Sequence, residues 1–204
     1  MNENNTNETA AEVAEESKPK GSFLYETVSV FVTALVIIAI MFTFLFRFVG
    51  VDGSSMVPTL ENNDWLIVSA INTDIEQGDI VISTQPNAFD EPIVKRVIAK
   101  GGQTVDIDFS TGKVYVDGTE LDEPYVAAPT YAQEGNTFPM VVPEGKLFLM
   151  GDNRNDSTDS RSQFVGFVPR DAIPMVGCVD ERYILGVVKC RLMPNFTFFG
   201  KSDN

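Results

Sequence analysis

The sequence predicts a mainly β fold: an antiparallel β-rich core with long loops, preceded by one apolar helix. Three observations carry that expectation. Short β-branched runs recur along most of the chain, each bounded by turn residues. No long helical period and no internal repeat appears among them. Ahead of them, Thr27–Phe46 is a run of twenty residues without a charge.

Taken in order, residues 1–22 are rich in Asn, Glu, Thr and Ala and nearly free of large apolar groups. They cannot bury enough surface to fold and are expected to form a disordered tail. The uncharged run would span about 30 Å as a helix, the thickness of a bilayer core. A buried core helix is the bland alternative, but a uniformly apolar segment this long does not suit an acidic soluble domain. A cleavable leader would have an apolar region of about 7–15 residues ending in a small-x-small site. Here Arg47-Phe48-Val49 follows instead. Residues 23–47 are therefore read as a membrane anchor. Lys18 and Lys20 precede the run and Arg47 follows it, so the positive-inside rule leans toward a cytoplasmic tail and an extracytoplasmic domain over 48–204.

Within that domain Trp65–Ala70, Asp79–Ser83 and Ile93–Ala99 read as strands. Thr104–Phe109 and Lys113–Val116 alternate around Ser-Thr-Gly and read as a hairpin, with Asp117-Gly118 a second turn signal. Lys146–Met150, Phe164–Val168 and Arg182–Val188 continue the series. Residues 102–145, rich in Asp, Glu, Pro and Gly, look like an excursion from the core that forms a small cap.

Composition excludes several functions. The 204 residues carry a net charge of −14, which repels nucleic acid phosphates, so no DNA or RNA partner is expected. There is no histidine, which removes His-based triads, His general bases and the usual zinc sites. Cys178 and Cys190 are too far apart for a CxxC metal site; one disulfide and two buried thiols both fit.

A serine nucleophile in such a chain needs another base, and lysine serves if its neutral form is accessible. Ser55 lies in Gly53-Ser54-Ser55-Met56-Val57-Pro58-Thr59-Leu60, a few residues beyond the apolar run. Alone, such a string is an ordinary turn. Lys95 lies inside Ile93–Ile98, where alternation puts it on the face opposite Val94 and Arg96. On that segment alone, an exposed lysine is the better reading. The third piece is the polar loop Gly151–Arg161. It lacks the closing Glu and flanking helices of a calcium loop, and its two arginines among acids point to a salt-bridged scaffold.

Together these segments resemble a known family. GSSMVPTL (53–60), QGDIVIS (77–83), KRVIAKGG (95–102), GDNRNDSTDSR (151–161) and GFVPRDAIPMVG (166–177) resemble the ordered boxes of type I signal peptidases. The single anchor resembles the short bacterial forms. The resemblance covers most of residues 24–190. It implies a membrane-bound serine endopeptidase that removes signal peptides from exported preproteins without a metal or organic cofactor. It implies Ser55 as nucleophile and Lys95 as general base. Ser157 would position the lysine, Asp159 and Arg161 would brace the site, and Asp152 and Arg96 would add to the brace. The Ser55 N–H would form part of the oxyanion hole. A β-rich core with an inserted β cap is the implied fold. The substrate would lie as an added strand beside the segments leading to Ser55 and containing Lys95. Val49, Val51, Met56, Leu60, Ile93 and Val94 would then line shallow pockets for Ala-like residues.

Two departures have consequences. Some family members carry a hydroxyl residue at the position of Gly53 as a second oxyanion donor, so here either a backbone N–H or water substitutes or the oxyanion is less stabilised. The family's late loop usually reads R-D-N-S, whereas this chain has Arg154-Asn155-Asp156-Ser157. Self-cleaving repressors of the LexA type share the Ser–Lys chemistry, but the apolar anchor and the lack of a helical DNA-binding domain argue against them. A tethered β domain that only binds partners is the non-enzymatic rival.

Overall fold

Uninterrupted apolarity makes the first element. In the computed structural model, which describes residues 20–70, 74–86, 91–162 and 177–199, helix α1 spans Lys20–Leu45. Its 26 residues are about 39 Å long at helical rise, and the segment Phe23–Ile40 is long and apolar enough to cross a membrane. Both ends differ from the expectation. The helix begins at Lys20, so residues 20–22 are helical rather than part of a disordered tail; a first turn tolerates Gly21 because its N–H groups lack intrahelical partners anyway. Residues 1–19 lie outside the described residues. At the other end Phe46 and Arg47 leave the helix for a strand, where pairing with a neighbour decides the conformation of an apolar run that fits either state.

The chain divides after Met41 into two units, and the second holds all the strands. They are β1 Phe46–Gly50, β2 Trp65–Ser69, β3 Ile80–Ser83, β4 Ile93–Lys100, β5 Thr104–Asp108, β6 Lys113–Val116, β7 Thr119–Glu120, β8 Met140–Val141, β9 Lys146–Met150, β10 Val179–Asp180, β11 Ile184–Met193 and β12 Thr197–Phe198. The larger sheet has the order β1-β2-β11-β3-β4-β9-β10, with β12 paired to β11. A four-stranded sheet, β7-β6-β5-β8, occupies Thr104–Val141. All pairs are antiparallel. The expected strand Phe164–Val168 lies outside the described residues. The strand expected to begin at Arg182 begins at Ile184, because Asp180 caps a short 3₁₀ turn over Glu181–Tyr183 through the Arg182 N–H.

Period-two alternation gives the larger sheet two apolar faces. On one, Leu66, Val68, Ile80, Ile82 and Val188 pack with Val51, Met56 and Leu60 from the β1–β2 connection. On the other, Val81, Val97, Leu147, Leu149, Val179 and Val187 pack together. A further cluster, including Ile98, Phe148 and Met150, joins the smaller sheet through Val105, Ile107, Val114 and Val116. Cys178 and Cys190 are buried free thiols. Burial pushes the Cys178 thiol up to about 12, so it remains protonated and inert at neutral pH.

Candidate active site

Three segments meet at Gly151. Strand β9 ends at Met150, opposite Arg96 of β4, so the next residue enters the space beside Lys95. A Cβ at Gly151 would lie 2.2 Å from Ser157 Oγ and 2.4 Å from the Ser55 carbonyl oxygen, so only glycine lets the loops approach this closely. The Asn153 N–H donates to the same Ser55 carbonyl at 3.0 Å, and Asn153 Nδ2 donates to the Ser54 carbonyl at 3.2 Å. The Ser54 hydroxyl donates to Asp156 at 3.1 Å. The serine turn is thus fastened to the polar loop by three hydrogen bonds.

Lys95 is 4% exposed, not the solvent-facing lysine that its strand alone suggested. By register it lies opposite Val81 and shares a face with Val97. Its Nζ is 2.6 Å from Ser55 Oγ and donates to the Val94 carbonyl at 3.2 Å. Burial is the main influence on the amine and holds it below the ordinary lysine value; Asp159 and Glu134 pull it up, Arg161 pushes it down and Asp152 raises it.

Two of the acids acting on this lysine are engaged elsewhere. Asp152, fully buried, accepts from Arg96 Nε at 2.8 Å and Nη2 at 2.6 Å, and from the Thr59 hydroxyl. Asp159, also fully buried, accepts from Arg161 Nε and Nη2, both at 2.8 Å, from the Ser157 hydroxyl at 2.9 Å and from the Gly151 N–H at 3.0 Å. Bidentate pairs of this kind fix geometry as well as charge. The Ser157 hydroxyl therefore points its proton at Asp159, whereas the lysine amine contacts Ser55 and Val94. Ser157 bonds Asp159, whose charge acts on Lys95.

The Ser55 N–H donates no hydrogen bond among the described residues, which leaves it available to an oxyanion. Gly53 adopts φ +100°, a conformation that side chains rarely take, and its N–H is occupied by Asn62 Oδ1 at 2.9 Å. The Gly53 N–H is thus engaged within its own turn. The reordered Asn155-Asp156 pair is also accounted for. Asn155 Oδ1 accepts from Tyr131 and Ala132 N–H groups while its Nδ2 donates to the Pro129 carbonyl, a donation an ionised Asp could not make.

Six residues were expected to line substrate pockets. Leu60 has no exposed surface, Met56 is 2% and Val51 is 7% exposed, and all three pack in the core with Leu66 and Val68. In this arrangement they shape the floor rather than present a surface. Val49, Ile93 and Val94 keep exposed area. The box at 166–177 lies outside the described residues except Gly177.

Sequence reasoning missed a second layer. Arg154, 1% exposed, donates to Thr130 and bidentately to Glu123, and the Tyr125 ring lies 3.9 Å from the Arg96 guanidinium carbon. The loop's two arginines were expected to brace it internally. Arg161 does, with Asp159; Arg154 reaches outside to Glu123. No cluster of His, Cys, Asp or Glu among the described residues is arranged to hold a metal.

The family model for signal peptidase, peptidase S26, matches residues 24–189. A probable signal peptidase I-2 from Synechocystis sp. is 38% identical over 181 residues, 85% of this chain and 78% of that protein. Signal peptidase I S of Bacillus subtilis is 34% identical over 158 residues, 72% and 83% of the two chains. Signal peptidase I of Bacillus licheniformis is 32% identical over 201 residues, 93% and 98% of the two. With the matched region running from the apolar helix through every segment of the buried Ser55–Lys95 site, the chain belongs to the signal peptidase family, peptidase S26.

Proposed function

We propose that this chain is a membrane-bound serine endopeptidase that cleaves signal peptides from exported preproteins with a Ser55–Lys95 dyad. The observation that carries the reading is the buried Lys95 amine 2.6 Å from Ser55 Oγ, with Asp152 and Asp159 paired to their own arginines. A lysine held this way is neutral more readily than a solvated one, and neutral amine accepts a proton.

The steps follow from that geometry. Ser55 Oγ attacks the carbonyl carbon before the cut while Lys95 Nζ takes the hydroxyl proton. The Ser55 N–H donates to the developing oxyanion. Lys95 returns the proton to the leaving amine as the C–N bond breaks. Water then attacks the acyl-enzyme, again giving its proton to Lys95, and Ser55 leaves as the hydroxyl. Ser157, Asp159, Arg161, Asp152 and Arg96 hold the site in shape. Strand β1 pairs with one neighbour only, and β9 stops short of Lys95, so both segments offer open backbone to an extended peptide. Val49, Ile93 and Val94 are the open side chains beside it. Small residues at the first and third positions before the cut fit such shallow surfaces.

The bilayer reading rests on α1 and on a second feature of the catalytic unit. Phe48, Trp65, Met193 and Phe198 are exposed, and by register Phe48 lies opposite Ile67 while Gly50, Trp65 and Met193 align across β1, β2 and β11. Aromatic and apolar side chains in such a patch suit a membrane interface. The tail lies in the cytoplasm and residues 48–204 outside in this reading. Protease added to intact spheroplasts should digest the domain; a protected domain would reverse the topology.

The function itself is tested by incubating a signal-bearing precursor with wild type, Ser55→Ala and Lys95→Ala in detergent or vesicles. Wild type alone should release mature protein. Processing by both variants would instead favour a partner-binding domain.

A further inference from the structure

The excursion between β7 and β8 runs along the polar loop and is fastened to it at both ends and in the middle. Glu123 binds Arg154, Pro129 accepts from Asn155, Ala132 accepts from Arg161, and Asn136 donates to the Ser160 and Arg161 carbonyls. One acid on this strap, Glu134, is held loosely. Its carboxylate lies 3.6 Å from Arg161 Nη2 and 3.4 Å from the Asp159 N–H, both long for charged partners. Arg161 is already committed to Asp159 by two bonds of 2.8 Å. Glu134 is therefore a second acid at an arginine that is already neutralised.

This leaves a simple charge count. Asp159 and Arg161 cancel. When Lys95 and Glu134 share one titratable proton, they exist either as ammonium with carboxylate or as amine with carboxylic acid. Both states are neutral overall, but the second places no charge on either group, which a dry site favours.

We propose that Glu134 is a positioning residue for proton transfer: its ionised carboxylate favours the ammonium form of Lys95 until a bound peptide covers it, and the pair then passes to acid and amine, freeing the base when substrate is in place. The inference rests on the Ser55–Lys95 reading. The proton leaving Lys95 on closure goes to the Glu134 carboxylate, directly or through solvent, and the proton of Ser55 later takes its place on Lys95. The Glu134 side chain is 20% exposed, so an added peptide has water to displace. Burial already pushes its carboxyl up to about 7, with Asp159 adding to the rise and Arg161 opposing it. The charged groups whose fields act on Lys95 are Asp159, Glu134, Arg161 and Asp152; of these, Glu134 is the acid whose nearest arginine is 3.6 Å away and bound to Asp159.

The test removes the charge and keeps the shape. In Glu134→Gln the rising limb of kcat/KM against pH should move to lower pH, giving about threefold or more activity below the limb, since each pH unit of displacement is a factor of ten there. Glu134→Asp should keep the limb near that of wild type. A limb that is unmoved or moves upward in Glu134→Gln, or that moves equally in Glu134→Asp, overturns the proposal. The coupling must also be visible from the other side. In the inactive Ser55→Ala protein with ¹³C-labelled glutamate, adding Lys95→Met should raise the pH at which the Glu134 carboxyl ionises; an unchanged titration overturns the proposal without any Glu134 variant. Lys95→Arg separates the two levels. If it is active, the dyad reading itself fails; if it is dead while the Glu134→Gln limb stays put, only the role of Glu134 fails.

Discussion

Two lysines are buried in neighbouring strands of one sheet, with different acids around them. Lys146, at the start of β9, is 9% exposed and its Nζ lies 2.6 Å from Asp180 Oδ2. Hydrogen bonds from Arg182 and from Lys146 hold the Asp180 carboxyl well below the usual range, so this acid is always charged and always occupied. Lys95, on β4, is 4% exposed and has a serine hydroxyl where Lys146 has a carboxylate. The acids that could have claimed it, Asp152 and Asp159, are bound by Arg96 and Arg161. Burial alone thus does not make a base. What distinguishes Lys95 is that arginines occupy the Asp152 and Asp159 carboxylates and Glu134 makes no ion pair with it, leaving desolvation as the strongest influence on its amine.

The largest expected effect separates the two lysines outright. Lys95→Arg and Ser55→Ala should each lower precursor cleavage by roughly 10³-fold or more, because arginine does not release its proton at usable pH and alanine has no nucleophile. Lys146→Met should cleave within a few-fold of wild type. Equal losses at the two lysines, measured as kcat/KM, would erase the distinction.

Next comes the brace. Asp152→Ala leaves the Arg96 guanidinium buried without its acid and should cost about 3–5 kcal/mol in denaturant unfolding. A loss under about 1 kcal/mol would mean that Arg96 is not held by that pair in solution.

Lys146→Met should cost less, about 1–3 kcal/mol, because Asp180 loses one donor and keeps Arg182. Lys95→Met should run the other way and leave stability at neutral pH equal or higher, since it removes a disfavoured charge. The sign of the pH dependence follows. A lysine whose folded-state pKa is lowered destabilises the fold fully at pH below that folded value. The penalty is relieved as pH rises toward the ordinary lysine value, because the unfolded chain binds the extra proton in that window. Lys95→Met should therefore flatten the alkaline rise in unfolding free energy; an identical rise in the variant would place its source elsewhere.

The smallest effect concerns Gly53. Gly53→Ser forces a side chain into φ +100° and should cost about 1 kcal/mol, read as a lower denaturation midpoint. An unchanged midpoint would show that the turn relaxes at no cost.

Much of this arrangement was visible in the chain. Lys113–Val116 and Lys146–Met150 begin and end where turn residues place them, because alternation and breakers are local signals. Ser55 and Lys95 were identified through ordered motifs, although β4 alone argued for an exposed lysine. What stayed hidden depends on distant partners. The end of α1 at Leu45 carries no breaker, since Phe46 becomes a strand only by pairing with Ser69. Glu123, Tyr125 and Glu134 were not singled out, because the arginines that meet them lie more than twenty residues away. The one available hint was Arg154: a second arginine in a short acidic loop needs a partner, and two of the loop's three acids, Asp152 and Asp159, were already allotted.

On the proposed reading, Lys95 serves as a base because it is buried against the Ser55 hydroxyl, with Asp152 and Asp159 held by arginines. The most direct test is an NMR titration of the lysine amines in the folded protein, with the Lys95 signal assigned by its loss in Lys95→Met. The account predicts that Lys95 gives up its proton well below the ordinary lysine value and that its ionisation tracks the rising limb of precursor cleavage. A Lys95 amine that ionises at or above the ordinary lysine value would contradict it.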